Sequence, residues 1–344
     1  MDRAPRTALP VPDGAAAPAR VRERRWIGPV LRLAVSLALV AFVCRRIDTA
    51  GLARQFVAES PAWLVAAGVA TLAQIAIAAL RWRQILQGLE IPVSVGDALD
   101  LSYIASFFNS WLLGTMGGDV ARAVLAPAGD RGRETVVHSV LLDRVVSFAG
   151  LGLAILPLAV LNVGPLARSL PLIVSLAIAI APIVLMPALT PLAILFSGRR
   201  LPFFGLVLGL GQSWQRLSRA GRRLAAALVI AVSGALALSI TAWFLARAEN
   251  LDVSLAEFLV LMPPVMLLAG LPISIGGWGV REGAMIAALA TVGVGAGAAT
   301  LLSLQLGGLA AVLSLPAGVL WLWRQMASAR ARSLANVTTR QASS

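Results

Sequence analysis

Two arginines in this chain follow glycine pairs inside otherwise apolar sequence. MGGDVAR places Arg122 after Gly117 and Gly118, and IGGWGVRE places Arg281 after Gly276, Gly277 and Trp278, with the pairs 159 positions apart (117 to 276). A guanidinium is a planar, permanently charged fork that can hold two phosphate oxygens at once. Glycine pairs break a helix, and the helix that restarts beyond the break offers backbone N–H groups that favour an anion. Arginine is costly inside a membrane, so a chain that builds this feature twice has the pattern of a duplicated transport site. The expected arrangement brings both tips together near the membrane centre, where Arg122 and Arg281 clamp the phosphate of a lipid whose tails stay in the bilayer.

The neighbouring acids carry two readings. Asp119 lies three residues before Arg122, Glu282 directly follows Arg281, and Asp143 and Arg144 sit in an apolar run. In the first reading these are counter-ions: Asp119 pairs with Arg122 at helical spacing, while Asp143 or Glu282 meets an arginine across helices. In the second, Glu282 or Asp143 contacts an ammonium on the substrate head group or carries a proton coupled to the membrane potential. Adjacent residues leave a helix in different directions, so Asp143 and Arg144 are not one pair. Asn109, Ser110 and Ser274 are available to hydrogen-bond broken backbone or head group, and Trp278 either lines a lipid passage or packs its tip.

Elements that could position these groups follow from composition, since 58% of residues are apolar and 13% charged, which excludes an ordinary soluble domain. Six runs are long enough to cross a hydrocarbon core as helices: Ile27 to Cys44, Pro61 to Leu80, Val136 to Leu161, Leu170 to Phe196, Leu224 to Ala246 and Ala298 to Trp323. Between the second and third, and between the fifth and sixth, lies apolar sequence interrupted by Gly, Pro, Asn or charge, which reads as a re-entrant helical hairpin in each case. The expected fold is therefore an all-α polytopic integral membrane protein with six full transmembrane helices and two re-entrant hairpins in an inverted repeat, one unit about 27–163 and the other about 170–324. A plain eight-span bundle is the alternative.

All 29 basic residues are arginine. They cluster before the first run, between the fourth and fifth, and after the sixth, which sets both termini in the cytoplasm. Residues 1–25 and 327–344 read as disordered cytoplasmic tails flanking a membrane domain at 26–326. In about 202–223, Phe203, Leu206, Leu210, Trp214 and Leu217 recur at helical spacing opposite Arg216, Arg219 and Arg223. That pattern predicts an interfacial amphipathic helix with its apolar face in the inner leaflet and its arginines at anionic head groups, or a plain topological anchor.

His138, the single histidine, lies at a span entrance without partner ligands, and Cys44 is a lone cysteine with neither a disulfide nor a lipid-anchor pattern. Trp26, Trp82, Trp321 and Trp323 fall at span ends as an aromatic belt, whereas Trp111 falls within a hairpin. There is no zinc-ligand spacing, no plausible Ser-His-Asp set and no strand context for nucleotide binding. The expectation is thus a non-enzymatic protein with no metal, cofactor or nucleic acid, and membrane lipids as partners. A transferase using Asp119, Asp143 or Glu282 as base, and a scaffold for a separate lipid-modifying enzyme, are the other classes.

Arg81-Trp82, GGDVAR (Gly117 to Arg122), LLDR (Leu141 to Arg144) and LPISIGGWGVREG (Leu271 to Gly283) resemble the membrane half of bacterial lysylphosphatidylglycerol synthases and their stand-alone, flippase-like relatives. The likeness covers about Arg25 to Arg324. It implies a lipid-handling protein of the bacterial inner membrane, which in full-length relatives moves aminoacylated phospholipid from the inner to the outer leaflet. This chain stops soon after its last span, without their soluble aminoacyl-transferase domain, so the resemblance implies transport rather than synthesis.

Overall fold

The computed structural model describes residues 60–111, 116–160, 202–271 and 279–342, together with a few positions between 177 and 191. The expected spans at 27–44 and 170–196, the N-terminal tail, and the tip residues Ser274, Gly276, Gly277 and Trp278 lie outside the described residues, apart from those few positions. The described residues are helical. In chain order the helices are α1 (Pro61–Gly88), α2 (Val95–Trp111), α3 (Gly117–Leu125), α4 (Gly132–Val160), α5 (Pro202–Arg219), α6 (Gly221–Ala248), α7 (Leu255–Gly270), α8 (Val280–Ala290) and α9 (Ala296–Ala342). Four helical stretches are long and apolar enough to cross a membrane: Pro61–Gly88, Gly129–Pro157, Gly221–Ala248 and Ala296–Arg324.

The order long, short, short, long occurs twice, as α1–α4 and α6–α9. Helices α1 and α6 are each 28 residues long and start 160 positions apart. Each ends in a left-handed residue, Glu90 at φ 62° and Asn250 at φ 59°, again 160 positions apart. The chain reversal is closed by the same bond in both, Ile91 N–H to Leu86 O and Leu251 N–H to Ala246 O, each at 2.9 Å. The next helix then starts at the same offset on a serine cap. Ser94 Oγ accepts from Asp97 N–H at 3.0 Å, and Ser254 Oγ accepts from Glu257 N–H within a full capping box. Set side by side, IPVSVGD (91–97) and LDVSLAE (251–257) are one punctuation mark written twice.

Helices α1 and α6 run antiparallel and make the most extensive helix contact among the described residues. The start of α1 meets the end of α6, where Ser60 N–H donates to Ala248 O at 3.3 Å and Trp63 packs on Trp243 and Phe244. The end of α1 meets the start of α6, where Arg223 Nη1 donates to Gln84 Oε1 at 2.9 Å. Small residues make the close approach possible, with Ala67, Ala227 and Ala242 wholly buried. Because these corresponding helices oppose each other, the two four-helix units run in opposite directions.

The short pairs enter from opposite ends of that central pair. The open end of α2–α3 lies in an apolar cluster with Trp82, Leu86 and the start of α4. The open end of α7–α8 lies in another with Ala67, Ala246 and the start of α9. Each leading arm also crosses to the other unit, α2 packing on α9 and α7 on α4. Tyr103 Oη in α2 donates to Leu313 O at 2.8 Å across that seam.

Three expectations need correction. Trp82 is wholly buried rather than part of a belt; its Nε1–H donates to Ser139 Oγ at 3.1 Å. Helix α9 runs to Ala342, through the segment expected to be a disordered tail, because its Ala, Arg, Leu and Gln residues favour helix. Finally, the later part of the α5 apolar face packs on protein rather than lying free for lipid, while Leu206 nearer its start is exposed. Trp214 and Leu217 are buried with Leu210 against Ile85, Leu89, Leu142, Val146, Ala227 and Ala231, since a concave apolar face made by α1, α4 and α6 is within reach. Trp214→Ala should therefore cost about 3 kcal/mol of stability, as for other large core truncations. Thermal unfolding in detergent checks this, and a helix that merely rested on lipid would leave the midpoint unchanged.

Candidate functional site

Behind the first glycine break, charge is arranged as a chain. Helix α1 supplies Arg81, α3 supplies Asp119 and Arg122, and α4 supplies Asp143 and Arg144. Asp143 accepts from Arg81 Nε at 2.7 Å and Arg81 Nη2 at 3.1 Å, a bidentate fork, and from Arg122 Nη1 at 3.0 Å. Arg122 Nη2 reaches Asp119 Oδ1 at 2.9 Å. The other oxygen of Asp119 accepts from Arg144 Nε at 2.6 Å. Among the described residues, three guanidiniums thus share two carboxylates in the order Arg81, Asp143, Arg122, Asp119, Arg144. The indole of Trp82 covers Arg122, 5.2 Å from ring centre to guanidinium carbon, which offers a cation–π surface where Arg122 Nε has no hydrogen-bond acceptor.

The second break is simpler. Arg281 Nη2 pairs with the adjacent Glu282 at 2.9 Å and Arg281 Nε donates to Ser303 Oγ at 3.0 Å. Ser303 donates in turn to Glu282 Oε1 at 3.0 Å, and the other Glu282 oxygen accepts from the backbone N–H of Gly279, which stands at φ 84° at the head of α8. Ser303 lies 160 positions after Asp143, and each is the α4 or α9 partner of its unit's tip arginine. The repeat is therefore kept in geometry while a carboxylate in one half is replaced by a hydroxyl in the other.

The counter-ion reading of Asp119 and Asp143 matches these contacts, but Glu282 meets its own neighbour rather than an arginine across helices. Glu282 serves two purposes, capping α8 and holding Arg281, and that dual geometry fixes it locally. The helix N-termini are likewise occupied: Gly118 N–H donates to Asn109 Oδ1 at 2.7 Å. Gly118 is glycine because a Cβ there would stand 2.4 Å from Ala105 O. Gly118→Ala should therefore push α3 off α2 and cost about 1–3 kcal/mol, read as a lowered unfolding midpoint; an unchanged midpoint would mean that α2 and α3 yield without loss.

The space between the units is a cavity in two adjoining lobes. One, about 340 Å³, is lined by the polar residues Thr71, Gln74, Asn109, Ser110, Arg144 and Arg281 over an apolar floor. The other, about 310 Å³, carries Arg81 and Arg144. Gln74, Arg144, Leu238 and Met266 line both. The guanidinium that shares the first lobe with Arg281 is thus Arg144, and Arg122 stands in the wall behind it, orienting Asp119. Sequence reasoning ranked Arg122 first because it follows the glycines; a side chain one turn into α3 points at α4 instead. It gave no role to Gln74 or Arg81, although Arg81 stands in the Arg81-Trp82 motif at the end of an apolar run. Trp111 is half exposed at the end of α2, with Nε1–H donating to Ala311 O at 3.1 Å. His138 is buried and contacts Ser213 Oγ at 3.0 Å, between α4 and α5 and away from the cavity. Among the described residues no group of His, Cys, Asp and Glu could hold a metal ion.

Gly307 faces the site from α9, and a Cβ there would come 2.5 Å from the Arg281 guanidinium. Gly307→Ala should displace Arg281 without altering any charge, lowering lipid translocation about tenfold; full activity would mean that the guanidinium's position is immaterial.

The model of the family described as the lysylphosphatidylglycerol synthase TM region matches residues 30–318. No curated protein matches the chain.

Proposed function

Since the chain belongs to the lysylphosphatidylglycerol synthase TM-region family, a family of lipid-handling membrane proteins, we propose that it moves an anionic phospholipid between leaflets, holding the head-group phosphate with Arg144 and Arg281. The observation that carries this reading is the cavity itself, where two guanidiniums on opposed units face one polar space. In this reading the four candidate spans join the apolar runs at 27–44 and 170–196 as six crossings of the bacterial inner membrane, with both termini cytoplasmic. The α2–α3 and α7–α8 pairs are re-entrant hairpins opening to opposite sides. Opposed units of this kind are the usual basis of alternating access.

A transferase would need a carboxylate available as base, whereas Asp119, Asp143 and Glu282 each accept from arginine. Transport is therefore the better reading, and a separate enzyme supplying or consuming the lipid is compatible with it. Purified protein in liposomes containing fluorescent phosphatidylglycerol tests the proposal. Quenching of inner-leaflet label should become faster than in protein-free liposomes; equal rates with correctly inserted protein would reject transport and favour a scaffold.

A further inference from the structure

Helices α4 and α9 each carry a proline in their interior, Pro157 and Pro316, at the 159-position spacing of the glycine pairs. Proline has no N–H, so each helix lacks one of its own bonds there and can bend. In α9 the missing bond is the one to Val312 O, and the carbonyls on either side of it are taken up by α2. Trp111 Nε1–H donates to Ala311 O at 3.1 Å, and Tyr103 Oη–H to Leu313 O at 2.8 Å. Ser314, wholly buried, adds a bond from its own hydroxyl to Ala311 O at 2.7 Å. Between the two α2 donors, Phe107 covers Gly318, where a Cβ would stand 2.6 Å from the ring. Positions 103, 107 and 111 are successive turns of one helix face. The seam continues in the edge-to-face contact of Phe108 with Trp321, ring centres 5.2 Å apart, and ends in the ion pair of Asp100 with Arg324.

The seam between α4 and α7 occupies the corresponding place in the repeat and is built differently. At the 160-position offset that relates the helix caps, Tyr103 and Trp111 answer to Pro263 and Leu271, whose side chains have no hydrogen to donate, and Asp100 answers to Val260. The contacts among the described residues are apolar: a Cβ at Gly270 would stand 2.8 Å from the Phe148 ring, and Leu151 and Ala154 cluster with Leu267. Apolar side chains exchange one neighbour for another at little loss when helices slide, whereas directional hydrogen bonds must break. Helix α7 also holds Pro263 and Pro264 in its own middle.

We propose that Tyr103, Phe107 and Trp111 clasp α9 at its proline joint, making the α2–α9 seam the fixed joint between the units and the α4–α7 seam the one that slides. This rests on the lipid-transport reading above and names the part of the molecule that moves. Ser303 and Gly307, which set Arg281, lie on α9 within about two turns of the clasp, whereas Arg144 rides on α4. One guanidinium of the cavity therefore shifts against the other.

Pulsed electron paramagnetic resonance on the full chain in nanodiscs containing phosphatidylglycerol tests this, in a Cys44→Ser background with spin labels at exposed positions beside each seam. Val95→Cys with Val319→Cys reports on α2–α9, and Leu156→Cys with Leu268→Cys on α4–α7. The first pair should give one narrow distance distribution, and the second a distribution at least about twofold wider or split in two. Tyr103→Phe with Trp111→Phe, which keeps an aromatic ring at each position and removes both donors, should widen the first distribution about twofold; Tyr103→Phe alone, the milder change, should widen it in part. Equal widths at the two seams, or a first seam unmoved by these substitutions, overturns the proposal whether or not lipids are translocated. Unequal seams in a protein that moves no lipid in liposomes uphold the clasp and reject the transport reading instead.

Discussion

Asp143→Ala should be the most damaging single change in the chain, lowering stability by about 3–5 kcal/mol and depleting folded protein from the membrane. The carboxylate is buried and joins three helices, accepting from Arg81 in α1 and Arg122 in α3 while fixed to α4. Its removal leaves Arg81 without the bidentate acceptor described above and Arg122 with only Asp119, which it shares with Arg144. The loss is that of an uncompensated buried charge, not of one favourable contact, so reducing the charge on the other side should restore part of it. Arg81→Gln added to Asp143→Ala should be more stable than Asp143→Ala alone. Size-exclusion profiles and thermal unfolding of detergent-purified protein check both; an unfolding midpoint unmoved by Asp143→Ala would mean that the chain of charges does not hold α1, α3 and α4 together.

The second large effect is on transport. Arg144→Gln should lower phosphatidylglycerol translocation by about 10–100-fold, the worth of about 1.5–3 kcal/mol for a hydrogen bond to a charged group. Its stability cost should be small. Arg144 is the most exposed arginine of the network, at 30% of its side chain, and Asp119 retains Arg122 when it is removed. Arg281→Gln should match it in transport but lose more stability, since Glu282 is buried and Arg281 is its only paired cation among the described residues. Arg281→Lys should fall between, keeping charge without the planar fork. The contrast is the informative result: Arg144→Gln folded and inactive, Arg122→Gln destabilised because Arg122 bridges two acids. If Arg144→Gln transported normally while Arg122→Gln folded well and did not, the wall and the clamp would have exchanged roles.

The parts of this molecule that could be read from the chain were those written locally. Hydropathy marked α1, α4, α6 and α9, and the glycine pairs marked where α3 and α8 begin. The i, i+3 pair of Asp119 and Arg122 was legible for the same reason. Contacts set by packing were not: Arg81 finds Asp143 across 62 positions, which no spacing rule encodes. The same limit misassigned Trp82, whose place near a span end said nothing of the α4 serine beside it, and α5, whose apolar stripe fits protein as well as lipid. The repeat was recognised from its glycines, yet its clearest trace, the paired turns around Glu90 and Asn250, passed unnoticed because IPVSVGD and LDVSLAE share only two identities and match in role instead.

That substitution of Ser303 for Asp143 has a further consequence. If each half of the molecule can adopt the shape of the other, the two resulting forms would be related by a two-fold rotation in backbone yet unequal in electrostatic free energy, because among the described residues five ionised groups brace the first tip and two brace the second. An unloaded molecule would then rest mainly with one face open, a built-in rectifier whose bias is set by chemistry the duplication did not copy.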